Sequence, residues 1–193
     1  MKKILILLYL LSFNLFSNDL SIKIEKGEKW YHKIKIIGIP IMKAEPQIAI
    51  WLEDINGNFL KTINVSKKSE NWLKEGKIKE ALPVWMNRVK NQIDNLAGAS
   101  LKNQDYNVTI EKEKVNLYIE INNSYDYNDF FTKKNSGVNG QPSIIYFTEV
   151  DFKNKSYKDI ELIAHSEING NYIKDLSKIT SAKNIIKKID LKF

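Results

Sequence analysis

The chain has 193 residues, no cysteine, two histidines, 30 Lys+Arg against 23 Asp+Glu, and 43% hydrophobic residues, enough for one substantial core. The absence of cysteine excludes thiolate metal sites, disulfides, cysteine nucleophiles and lipidated-cysteine anchors. His32 and His165 alone cannot build a multi-histidine metal centre.

Lys2 and Lys3 precede an uncharged apolar run from Ile4 to Phe16, and Ser17 and Asn18 follow it. This pattern predicts a secretory signal peptide over residues 1–17, with residues 18–193 forming a single exported domain in the periplasm or outside the cell. The run is too short for an ordinary membrane span, and no later stretch is long and apolar enough. Cleavage would leave 28 basic and 23 acidic residues, reducing the formal charge from +7 to +5. Lysines are scattered among acids and Arg88 is the only arginine, so the pattern argues against nucleic acid as a partner and leaves at most weak attraction to an anionic membrane surface.

Trp30–Ile37 and Ile48–Asp54 have the period of strands. Asn56-Gly57 predicts a tight two-residue hairpin turn leading into a returning strand at Phe59–Val65. Glu70–Ile93, interrupted by Gly76 and Pro83, predicts two short helices, the second beginning at Pro83. This helical insertion, at about 70–93, is expected to cap one open end of the fold. Asn107–Glu111 and Val115–Asn122 make a second alternating pair, with Val115, Leu117, Ile119 and Ile121 on one face and Asn116, Tyr118 and Glu120 on the other. Ser143–Phe152 and Asp159–Ile168 read as a third hairpin. A short helical or turn piece at Leu176–Ala182 precedes a last strand over Ile185–Phe193. Eight or so short strands with few helices predict a mainly β fold, an antiparallel β-sandwich of immunoglobulin- or transthyretin-like kind.

Two segments stand out as candidate working surfaces. The first, Ser124–Gln141, mixes aromatics with amides and acids and ends in glycine turns. Stiff rings supply contact area while amides and carboxylates fix orientation, so Tyr125, Asp126, Tyr127, Asn128, Asn139 and Gly140 are the expected partner-binding residues, for an envelope protein or a small ligand. Asp126, Asn128 and Asp129 lack the glycine and distal glutamate of a calcium loop, and no metal is expected. The second is Asp94-Asn95-Leu96-Ala97-Gly98-Ala99-Ser100, small residues with an acid at the start and a hydroxyl at the end.

The order of features from Trp30 to Tyr127 resembles the exported family of unknown function 2271. The likeness runs through the strand Ile48-Ala49-Ile50-Trp51-Leu52-Glu53-Asp54, a Gly-containing turn, a Trp-containing insertion, a small-residue element and the strand end Leu117-Tyr118-Ile119-Glu120. That resemblance implies an exported β-sandwich and supplies no activity. Asp94, Gly98, Ala99 and Ser100 are also similar to the acceptor sequence of flavin transferases, in which the hydroxyl at the position of Ser100 is esterified to FMN. Asn95, Ala97 and Lys102 depart from that pattern. It implies the alternative of an extracytoplasmic electron-transfer flavoprotein, in which nearby aromatics such as Trp72 or Trp85 stack on the ring.

Phosphate-loop, nucleophile-elbow and dinucleotide-binding motifs are absent. His32 and His165 sit inside expected strands without catalytic neighbours, and Glu53 and Asp54 point to opposite faces of one strand. With no residue nominated for catalysis, the sequence predicts a non-enzymatic binding or accessory protein that needs no cofactor.

Overall fold

The computed structural model describes residues 18–36, 39–74, 81–89 and 105–193. Its strands are β1 (Asn18–Lys26), β2 (His32–Ile36), β3 (Ile39–Ala44), β4 (Gln47–Glu53), β5 (Phe59–Val65), β6 (Asp105–Ile110) and β7 (Lys114–Asn122), followed by β8 (Ile144–Asp151), β9 (Ser156–Tyr157), β10 (Glu161–Ser166), β11 (Tyr172–Ile173) and β12 (Ile186–Lys192). The helices are α1 (Lys67–Lys74), α2 (Pro83–Val89) and α3 (Lys133–Ser136), with a 3-10 turn at Ser181–Asn184.

The architecture is the expected mainly β, antiparallel sandwich. The larger sheet has the order β11-β10-β8-β7-β4-β5, with β9 adding to β8. The smaller layer is β12-β1-β6, and β2 pairs with β3 as a separate ribbon. Alternation creates the core between the two layers: Leu20, Ile22 and Ile24 from β1 meet the aliphatic face of the larger sheet, Ile48, Ile50 and Leu52 on β4 and Val115, Leu117, Ile119 and Ile121 on β7. Each such side chain contributes roughly 1.5–3 kcal/mol by leaving water.

Four features differ from the sequence expectations. The stretches around 107–111 and 115–122 do not pair with each other: β6 runs beside β1, with Ile22 opposite Tyr106, whereas β7 lies between β4 and β8. Adjacent alternating segments need not pair when each finds a longer partner elsewhere. The turn after β4 is not a two-residue one either. Among the described non-glycine residues only Tyr125 and Lys155 have positive φ, so Asn56 does not adopt the required conformation. Instead Asp54 organises the loop, its Oδ1 accepting the Asn56 and Asn58 N–H groups and its backbone N–H and C=O bonding Asn58 O and Gly57 N.

Helix α2 of the insertion covers a face and not an open end. Pro83 does begin α2, and Leu82, Val84, Trp85, Met86 and Val89 pack on Ala49, Trp51, Val65, Ile145 and Ala164, on the side of the larger sheet turned away from the small layer. The reason lies in β4, where every residue from Gln47 to Glu53 is buried. A strand apolar on both sides needs cover on both. Finally, β1, β3 and the two-residue strands β9 and β11 add to those expected from the sequence. The expected last strand is present as β12, which among the described residues pairs only with β1 and so forms an edge.

Candidate functional site

Two hollows lie at opposite ends of β7 and β8. The one beside Lys114, Glu149, Asp151 and Lys158, about 450 Å³, has its charges satisfied internally: Lys114 Nζ lies 3.0 Å from Asp151 Oδ2 and Lys158 Nζ 2.7 Å from Glu149 Oε2. The other, about 490 Å³, lies where the 124–141 loop, the start of α2 and the β10–β11 hairpin converge. Its apolar lining comes from Pro83, Phe131, Pro142 and Ile173, and its polar lining includes Asn139, His165, Ser166 and Glu167. An apolar groove with a few convergent polar groups is the usual form of a ligand site.

Each wall is fixed by a close backbone approach. Gly140 has φ +67°, and a Cβ there would lie 2.5 Å from Asp126 O. The approach is sealed by Gln141 N–H donating to Asp126 O (2.7 Å) and Tyr125 N–H to Val138 O (2.8 Å). Gly170, at the tip of the β10–β11 hairpin with φ +87°, sits where a Cβ would meet Asn87 Cβ at 2.5 Å, which seats the hairpin against α2. The Gln141 side chain then bolts the loop to the 3-10 segment: its Nε2 donates to Asp126 Oδ2 (2.9 Å), and its Oε1 accepts the Thr180 N–H (2.7 Å).

This geometry sorts the six residues nominated from the sequence. Asn139 and Gly140 line the groove. Tyr125 is 46% exposed and has φ +65°. Asp126, Tyr127 and Asn128 are engaged in anchoring the loop: Asp126 Oδ1 accepts the Ser181 hydroxyl of the 3-10 segment, and within the loop Tyr127 donates to Gly137 O and Asn128 Oδ1 accepts the Phe130 and Phe131 N–H groups. Asp94, Gly98, Ala99 and Ser100 lie outside the described residues. Among the described residues no three acidic or histidine side chains are grouped to hold a metal ion.

Behind the groove stands a feature that sequence reasoning missed. Glu120, on β7, is fully buried on the α2 side of the sheet. Its Oε2 accepts the Trp85 N–H (2.7 Å), and its Oε1 accepts the Val84 N–H (3.2 Å) and the Ser143 hydroxyl (2.5 Å). The carboxylate thus satisfies the otherwise unpaired N–H groups in the first turn of α2 from across the sheet. Burial pushes its pKa up to about 7, against the opposing pull of these three donors. Ser143 Oγ lies 2.6 Å from Ser166 Oγ, so a hydrogen-bonded chain runs from the buried carboxyl to the groove wall.

No protein-family model matches this chain, and no curated protein or solved structure is significantly similar to it. The functional reading therefore rests on geometry.

Beside Ser166, His165 is 8% exposed, and its ring meets Phe131 edge-on with centroids 6.2 Å apart. His165 Nδ1 lies 3.1 Å from the Ser166 carbonyl oxygen; a carbonyl only accepts, so Nδ1 carries the proton. The sequence signal for Glu120 was its position: an acid in mid-strand, directly opposite Ala49 on β4 and Ile145 on β8, has no solvent to face once α2 covers that side.

Proposed function

We propose that the chain is an exported, non-enzymatic binding or accessory protein of the cell envelope that holds its ligand in the groove between the 124–141 loop and the β10–β11 hairpin. The groove itself carries this reading: a hollow of about 490 Å³ whose walls are locked by Gly140, Gln141 and Gly170, with an apolar lining and few polar groups. Such a site is formed in advance, so little ordering entropy opposes binding. Export is supported by the sequence pattern of residues 1–17.

The test is retention of envelope small molecules by the purified full-length protein, identified by mass spectrometry. Lys134 is exposed and lines the groove, so Lys134→Trp fills it from the rim without touching the core. A ligand held by the wild type and by Tyr157→Ala, at the far end of the sheet, but released by Lys134→Trp is the expected result. Retention that Lys134→Trp leaves unchanged overturns the assignment.

A further inference from the structure

The Glu120–Ser143–Ser166 chain constrains what the groove can hold. Each serine hydroxyl has one proton. While Glu120 is ionised, the proton of Ser143 is committed to Glu120 Oε1 at 2.5 Å. The 2.6 Å contact between the two hydroxyls then takes the proton of Ser166. A ligand meeting Ser166 finds a hydroxyl that can only accept. The neighbouring Glu167 carboxylate, on the same lining, adds acceptors and negative charge, while Lys134 sits exposed on α3 at the rim.

We infer that the groove selects a ligand headed by a hydrogen-bond donor, a protonated primary amine, seated on the Ser166 hydroxyl with its apolar body against Phe131, Pro142 and Ile173. This rests on reading the groove as the ligand site. It also makes selection depend on the charge of Glu120. Protonated Glu120 has its other lone pairs facing the Val84 and Trp85 N–H groups, so its new proton goes to Ser143, the chain reverses, and Ser166 becomes a donor. Burial places this titration near pH 7.

On the elements packed against Glu120, Arg88 of α2 is bonded to Glu53 of β4, and Glu149 and Asp151 of β8 are paired with Lys158 and Lys114. On β10, Glu161 is exposed, and His165 is bonded to the Ser166 carbonyl. Burial and hydrogen bonds, with no contribution from these charges, set its titration.

The experiment uses two probes of similar shape, benzylamine and benzoate, titrated into the full-length protein while the Gly140, His165 and Ser166 amides are followed by NMR, at about pH 8.5 and about pH 5.5. Wild type at the higher pH is expected to bind benzylamine roughly ten-fold or more tightly than benzoate, the scale of one hydrogen bond to a charged group. The preference shrinks at the lower pH and is lost in Ser166→Ala. Glu120→Gln, whose amide donates to Ser143 as the protonated acid does, favours benzoate at both pH values. Should Glu120→Gln fail to fold, Ser166→Ala and the pH pair decide the matter.

Benzoate bound as tightly as benzylamine by the wild type at the higher pH, or a preference that survives Ser166→Ala, overturns the inference while leaving the groove as the ligand site. A pH trend that persists in Glu120→Gln removes the role of Glu120. If neither probe moves the groove amides, both this inference and the proposed site fall.

Discussion

The two faces of the larger sheet are made from the same strands, alternate residue by alternate residue, yet solve different problems. Toward the small layer, β4 and β7 present Ile48, Ile50, Leu52, Leu117, Ile119 and Ile121, a dry aliphatic surface that asks only for volume. Toward α2 they present Ala49, Trp51 and Glu53 beside Tyr118 and Glu120, a surface with two buried carboxylates that must each find donors. Glu53 takes the Trp51 Nε1–H at 3.0 Å and Arg88 Nε at 3.1 Å; Glu120 takes two backbone N–H groups and Ser143. Trp51 also stacks on Tyr118 with ring centroids 5.2 Å apart. One face supplies cohesion without preference for partner. The other fixes where a seven-residue helix sits, and through it the shape of the groove.

The contrast breaks most sharply with Ile119→Ala on the aliphatic side, which leaves a cavity between the layers. A loss of roughly 2–5 kcal/mol in urea unfolding is expected, with the affinity of the groove unchanged in the molecules that stay folded. A stability loss of only a few tenths of a kcal/mol would mean the layers re-pack freely.

Next in size comes pH dependence, to which the helix side of the larger sheet contributes through Glu120. The pKa of Glu120 rises from 4.5 in the unfolded chain to about 7 in the folded one. Folding therefore retains a proton that unfolding releases, so its contribution is full below pH 4.5 and declines by about 3 kcal/mol as pH climbs through 7. His32 works in the opposite sense: burial lowers its pKa below 6.5, so its stability is lost as pH falls through and beneath that value. Subtracting the pH profile of Glu120→Gln isolates the Glu120 part, because His32 is common to both. A difference that stays flat from about pH 4.5 to about pH 7 contradicts the buried carboxyl.

Gly140→Ala sharpens the comparison locally. The left-handed φ and the Asp126 backbone oppose any Cβ, so a cost of roughly 1–3 kcal/mol is expected, with faster amide exchange confined to 124–141. The smallest effect belongs to Tyr125→Ala. Its side chain is nearly half exposed, and stability should move by less than about 0.5 kcal/mol. A larger change there would show that the tyrosine ring props the loop as well as facing solvent.

Much of the layer structure was legible because it follows from residue spacing. Phe59–Val65 matches β5 residue for residue, and Pro83 opens its helix. Leu20, Ile22 and Ile24 give β1 an equally clear period, obscured by its position directly after the leader-like run. What spacing cannot convey is which strand lies beside which, and the placement of α2 depends on that; the clue was β4, too apolar on both sides to have one face wet. The groove was half visible. Asn139 and Gly140 announced a turn, but Glu120 on β7, Ser143 just before β8 and Ser166 at the end of β10 meet only across intervals of 23 residues, which no local motif encodes. The loop residues that looked most adhesive, Asp126 and Asn128, spend their polarity on holding the loop's shape and tying it to residues 178–181.

The pairing of β1 with β12 sets the timetable of folding. Ser21 lies opposite Lys192 and Ile24 opposite Ile189, so the small layer stays incomplete until residues 186–192 have been synthesised. Closing so long a loop is entropically slow relative to local hairpins. Until then the aliphatic side of the larger sheet lacks the part of its cover that β12 supplies.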